Sequence, residues 1–105
     1  MLDPVYVHVV TTDEAAASNG LVAKGAIYIH KVVLEGDGSN ALTVQLHNQL
    51  TVTGTAEISL AATAYAAAIF NRYVEANFGS PIRFGVGLST NLTGNGGTCR
   101  IYYSR

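Results

Sequence analysis

The chain has 105 residues, with 6 Lys and Arg against 7 Asp and Glu for a formal net charge of −1, and it is 49% hydrophobic but only 12% charged. One domain of this length buries roughly 60–70% of the surface its unfolded form exposes, so residues 1–105 are expected to form a single core. The six cations are scattered, which argues against nucleic-acid binding by phosphate neutralisation. No apolar run approaches the ~20 residues of a membrane-spanning helix, and the start Met1-Leu2-Asp3-Pro4 has neither a basic region nor an apolar export segment. The expected place of synthesis is the cytoplasm, with no membrane partner.

A charge fraction near half the ~25% of ordinary soluble domains leaves two readings of the surface. Either Thr, Ser, Asn and Gln solvate it alone, or other subunits cover part of it. The second is favoured, because an assembled protein does not need every face charged.

Val5-Tyr6-Val7-His8-Val9-Val10 is a β-branched strand signal, followed by a polar, Ala-rich connection over residues 11–20. A long run covers residues 21–35, with Gly25 as a bend or bulge and 26–34 as its firm part. Gly36-Asp37-Gly38-Ser39-Asn40 is a turn signal, and Leu42, Val44 and Leu46 then alternate with polar residues, so the two runs read as a hairpin. A connection over 48–54 leads to a shorter alternating strand, Thr55-Ala56-Glu57-Ile58-Ser59-Leu60.

Residues 61–78 are ambiguous. Their alanines, with Ile69, Tyr73 and Asn77 spaced by four, allow a short helix within 61–76, whereas Ala68 to Glu75 also alternate as a strand between strand neighbours. The preferred reading is a loop at 61–67 and a strand after it. The last quarter is clearer: Ile82, Phe84, Val86 and Leu88 alternate, Gly94-Asn95-Gly96-Gly97 reverses the chain, and Cys99, Ile101 and Tyr103 resume the pattern as a terminal hairpin. The fold class that follows is all-β, an antiparallel β-sandwich or jelly roll of about six to eight short strands.

Nothing in the sequence is catalytic chemistry, and the chain is expected not to be an enzyme. The lone Cys99 sits at an alternating strand position and reads as a small buried apolar side chain. Gly85-Val86-Gly87 and the 94–97 cluster lack the helix and the Lys-Ser/Thr ending of a phosphate loop. Asp13, Glu14, Glu35 and Asp37 match no calcium-loop spacing. Val5-Tyr6-Val7-His8 and Ile27-Tyr28-Ile29-His30 echo each other, so His8 and His30, joined by His47, are the one metal-site arrangement to check; reuse of a strand pattern is the plainer reading, and no metal or cofactor is expected.

The order of elements resembles small β-sandwich virion structural proteins of tailed bacteriophages. The resemblance is carried by Gly36-Asp37-Gly38-Ser39-Asn40-Ala41-Leu42-Thr43-Val44-Gln45-Leu46, the Thr/Gly-rich link at 51–55, Phe78-Gly79-Ser80-Pro81-Ile82-Arg83-Phe84-Gly85-Val86-Gly87-Leu88 and the final 94–103, about two thirds of the chain; residues 61–78 depart from it, being longer and richer in alanine. It implies a capsid decoration or cement protein, assembled in the host cytoplasm, often a homotrimer, whose partners are the major capsid protein or other virion proteins. Residues 1–3 and the loops 11–20 and 48–54 would then lie against neighbours, with Tyr6, Tyr28, Tyr65, Tyr73 and Tyr102 as aromatic anchors. A tail, neck or fibre-base component is the alternative within that class, and a carbohydrate-binding β-sandwich presenting tyrosines is the alternative outside it.

Overall fold

A strand with one buried face needs apolar side chains at every second position, and eight segments of this chain supply them. The computed structural model describes residues 4–11, 20–36, 40–62, 72–94 and 96–105. In chain order the strands are β1 (Tyr6–Thr11), β2 (Gly20–Lys24), β3 (Ile27–Gly36), β4 (Leu42–His47), β5 (Ile58–Ala62), β6 (Arg72–Phe84), β7 (Gly87–Gly94) and β8 (Gly97–Ser104). They form two antiparallel four-stranded sheets, β1-β8-β3-β6 and β2-β7-β4-β5. There is no helix among the described residues.

Pairing runs from the outside of the sequence inward. β1 pairs with β8, β2 with β7, β3 with β6 and β4 with β5, and the first and third pairs share one sheet while the second and fourth share the other. Nested pairs split between two sheets are the connectivity of a jelly roll. The sandwich expected from alternation is therefore present, with all eight strands assigned.

Two local expectations are corrected. β3 and β4 do not pair with each other, nor do β7 and β8, because each of those connections carries the chain across to the opposite sheet. The runs 21–35 and 82–88 are also not single strands: β2 stops at Lys24 and β3 starts at Ile27 on the opposite sheet, and β6 stops at Phe84 and β7 starts at Gly87, so Gly25 and the pair Gly85-Val86 mark crossings rather than bends within a strand. Alternation reports which side of a strand is buried, and a Gly/Asn turn reverses the chain equally well within a sheet or between two. The ambiguous segment is strand where it is described, at 61–62, in place of the loop expected there, and at 72–78, and its remainder, 63–71, lies outside the described residues.

Between the sheets lies one apolar cluster, in which Val10, Ile27, Ile29, Val32, Leu34 and Ile101 from the first sheet meet Leu42, Val44, Leu46, Leu88 and Leu92 from the second. The alternation of β3 changes phase at His30, where the register against both β6 and β8 shifts. That bulge keeps Ile27 and Ile29 inside and then returns Val32 and Leu34 to the core, leaving Lys31, Val33 and Glu35 on the outside.

Among the described residues, four of the crossings meet in pairs, one pair at each end of the sandwich. At one end, Gly25 adopts φ 91°, which a side chain rarely tolerates, and its N–H donates to the Val86 carbonyl at 3.0 Å, joining the β2–β3 and β6–β7 crossings. At the other end Leu42, fully buried, fills the space beside Gly94 and Gly97. A Cβ at Gly97 would run into Leu42 Cδ1 and lie 2.9 Å from the Glu35 carbonyl.

This packing gives a specific expectation for urea unfolding. Gly97→Ala is expected to cost about 1–3 kcal/mol by overpacking, and Leu42→Ala about 2–5 kcal/mol by cavity formation. The double variant is expected to lose less than the sum, because the cavity accommodates the added methyl. Strict additivity would show that the two positions do not share this space.

Candidate interaction surfaces

Opposed residues on antiparallel strands share a face, so the registers assign the outer surface of each sheet directly. On the first sheet the rows run Val7, Tyr102, Lys31, Asn77, then Val9, Arg100, Val33, Glu75, then Thr98, Glu35, Tyr73. The face is graded. Valines occupy its β1 side, and charges occupy its middle and its β6 side.

The charged part is internally paired. Lys31 Nζ lies 3.4 Å from Glu75 and 4.8 Å above the centre of the Tyr102 ring, Arg100 lies 3.8 Å from Glu35, and Tyr73 donates its hydroxyl to Glu75 at 3.0 Å. That hydrogen bond to a carboxylate raises the Tyr73 pKa above its ordinary value. Val33, flanked by Glu75 and Arg100, is only 4% exposed although it sits on the outer face. Solvated pairs of this kind contribute little to stability, and their effect here is to hold the long side chains over the sheet.

The second sheet is different in kind. Its outer face is built from Thr43, Gln45, Ser59, Ala61, Asn91 and Thr93 and is bordered on β2 by the exposed Leu21 and by Lys24, the one Asp, Glu, Lys or Arg in its four strands, against six in the first sheet. All described tyrosines and phenylalanines belong to strands of the first sheet. At the end of the sandwich Leu50 and Val86 are exposed apolar tips. Asn48 Oδ1 accepts the N–H groups of Val86, at 2.9 Å, and Gly87, at 3.4 Å, while Ser89 donates to the Gln49 carbonyl at 2.7 Å. The start of the 48–54 loop is thus tied to its own chain.

The expected anchors fall in three places. Tyr28, Tyr73 and Tyr102 lie on the outer face of the first sheet, with Tyr102 partly covered by Lys31. Tyr6 lies on the opposite side of β1, exposed, its ring centre 5.5 Å from that of Tyr103. Tyr65, residues 1–3 and loop residues 12–19 lie outside the described residues. Sequence reading overlooked the exposed column Val5, Val7 and Val9. Its signal was available: Val5-Tyr6-Val7-His8-Val9-Val10 has no charged residue on either face, unlike a strand with one wet side.

The histidines do not gather. His8 is on β1, His30 sits in the β3 bulge with Nε2 2.7 Å from Ser104 Oγ, and His47 of β4 donates from Nδ1 to the Thr53 carbonyl at 3.1 Å. No group of three His, Cys, Asp or Glu suited to a metal ion occurs among the described residues. Burial pushes the Cys99 thiol up to about 12, which keeps it protonated and unreactive at neutral pH.

No protein-family model matches the chain, and no curated protein matches it in sequence. The surfaces themselves therefore carry the functional reading.

His8 supplies a pH test. Its partial burial lowers its pKa below 6.5, so the unfolded chain binds this proton more readily than the folded one. Stability is thus present above the unfolded value and is lost as pH falls through the lower, folded one. Thermal melts from about pH 8 to about pH 5 are expected to show a smaller loss on acidification in His8→Gln than in the parent. An identical loss in both would rule out His8 as a contributor.

Proposed function

We propose that this chain is a structural component of a tailed-phage virion, and that it acts as a decoration or cement protein on the head. The observation that carries this reading is the division of its surface into a mostly uncharged polar face on one sheet, with Lys24 as its one charge, and an apolar and aromatic border on the other. Such surfaces suit burial against protein neighbours, where charge is depleted and tyrosine is enriched. Jelly rolls also serve as viral coat domains and lectins, so architecture is compatible with the role without defining it.

The mechanism is interfacial. The chain bridges major capsid protein subunits and resists expansion of the shell through buried apolar area and edge hydrogen bonds, with no reaction and no cofactor. Trimeric grouping of subunits on the capsid belongs to the same reading, as does assembly in the host cytoplasm. A sugar-binding role has less behind it, because the exposed Tyr6 lies on the opposite side of the first sheet from the exposed Tyr28 and Tyr73, and the Tyr102 face holds Lys31. The second sheet's outer face carries no aromatic residue among those described.

Quantitative mass spectrometry of purified particles tests the role. A copy number matching the capsid lattice supports decoration, a handful of copies per particle indicates a tail, neck or fibre-base position, and absence from particles overturns both. Within the decoration reading, Tyr73→Ala is expected to weaken attachment to capsid shells about tenfold or more, as loss of an aromatic anchor does. Its melting temperature should stay near the parent's because Tyr73 is exposed. Unchanged attachment would remove the outer face of the first sheet from the interface.

A further inference from the structure

Two open sheets have four edges, and three of them are guarded. The β6 edge carries Glu75, Pro81 and Arg83, the β2 edge is broken by a bulge between Leu21 and Ala23 and ends in Lys24, and β5 is only five residues long. Charge, proline, bulges and brevity are how proteins prevent a free edge from pairing with another chain. β1 has none of these. Its six residues contain no charge and no proline, and its register against β8 runs without a shift from Tyr6↔Tyr103 to Thr11↔Thr98. Its outward column, Val5, Val7 and Val9, is 52%, 49% and 48% exposed.

We propose that the β1 edge is a docking site for a second copy of this chain, which adds its own β1 antiparallel about a two-fold axis centred on Val7. The occupant follows from the sequence of the strand. Val5-Tyr6-Val7-His8-Val9 has the same apolar positions in both directions, as a self-complementary two-fold contact requires. Centred on Val7, the pairing sets Val5 opposite the second copy's Val9, Val7 opposite its own equivalent, and Tyr6 opposite His8.

The neighbouring registers are poorer. Centring on Tyr6 brings Pro4, which has no N–H, opposite His8, and centring on His8 sets two imidazoles against each other. The Val7 register also addresses a defect in the single chain. His8 Nε2 is buried with no hydrogen-bond partner among the described residues, and the opposing Tyr6 sets a hydroxyl on the same face of the strand. The product is a continuous eight-stranded sheet, β6-β3-β8-β1 followed by its two-fold mate.

This pairing does not depend on the virion role. Absence from particles would leave it intact, and a monomer would leave the virion role intact. It also uses the β1 edge, so it is compatible with trimers formed through other surfaces.

Size-exclusion chromatography with light scattering on the whole chain is expected to give twice the 11.0 kDa of one copy, and Val7→Lys, an outward substitution that the fold accommodates, is expected to give a monomer. A parent that stays monomeric up to about 100 µM, well above the range of stable specific complexes, overturns the proposal, as does a dimer that Val7→Lys leaves intact. Cysteine cross-linking in a Cys99→Ala background reads the register, because opposed Cβ atoms stand about 4.5–5.5 Å apart, near disulfide reach. Val7→Cys alone should oxidise to a covalent dimer, whereas Val5→Cys and Val9→Cys should cross-link when mixed and not singly. Equal cross-linking of Val5→Cys with itself would overturn the register.

Discussion

A two-sheet sandwich hides its apolar faces and leaves the outermost strands with backbone groups paired on one side only, and this geometric remainder governs the surface of the protein. The inner face is fixed by the hydrophobic effect: Val10, Ile27, Ile29, Leu34, Leu42, Leu88 and Ile101 are all excluded from water. No comparable force fixes the edges. Each has to be blocked or filled, and the chain blocks those of β2, β5 and β6 while leaving β1 as an uncharged, β-branched strip.

The nested connectivity explains why the remainder takes this form. Because β1 pairs with the last strand, the first sheet ends at the N-terminal segment, and the connections cross between sheets everywhere except from β4 to β5. Those crossings are where glycine is required. Gly25 supplies a positive φ and an N–H to the opposite crossing, and Gly97 leaves the room that Leu42 occupies. β1 keeps an unshifted register on β8 from Tyr6 to Thr11, and no described strand pairs with its other side. Charge is sorted by the same architecture, with the paired ions grouped on the first sheet beyond the reach of the second sheet's outer face.

Much of the fold was legible in the residues. Alternation located β3, β4 and β8 closely, because each has one mostly buried face, and β-branched composition located β1, which is exposed on both faces. The sheet each strand joins was not legible, since Gly36 to Asn40 and Gly94 to Gly97 permit either a hairpin or a crossing. The His30 bulge was hidden because Ile29 and Val32 are both buried and a break of phase between two apolar residues leaves no mark in composition. Of the surface, the tyrosines were found as a residue type, yet their division between the outer face and the β1 edge needed the register. The valine column was missed because β-branched residues first signify strand and core, and only a strand's position in the sheet turns them into an edge.

The most direct measurement is amide hydrogen exchange on the whole chain, followed by NMR at low and high protein concentration. If the β1 edge is filled by a second copy, the β1 amides that point away from β8 gain protection as concentration rises, while the edge amides of β2, β5 and β6 keep their rates. Concentration-independent exchange along β1, or protection appearing at one of the guarded edges instead, would contradict it.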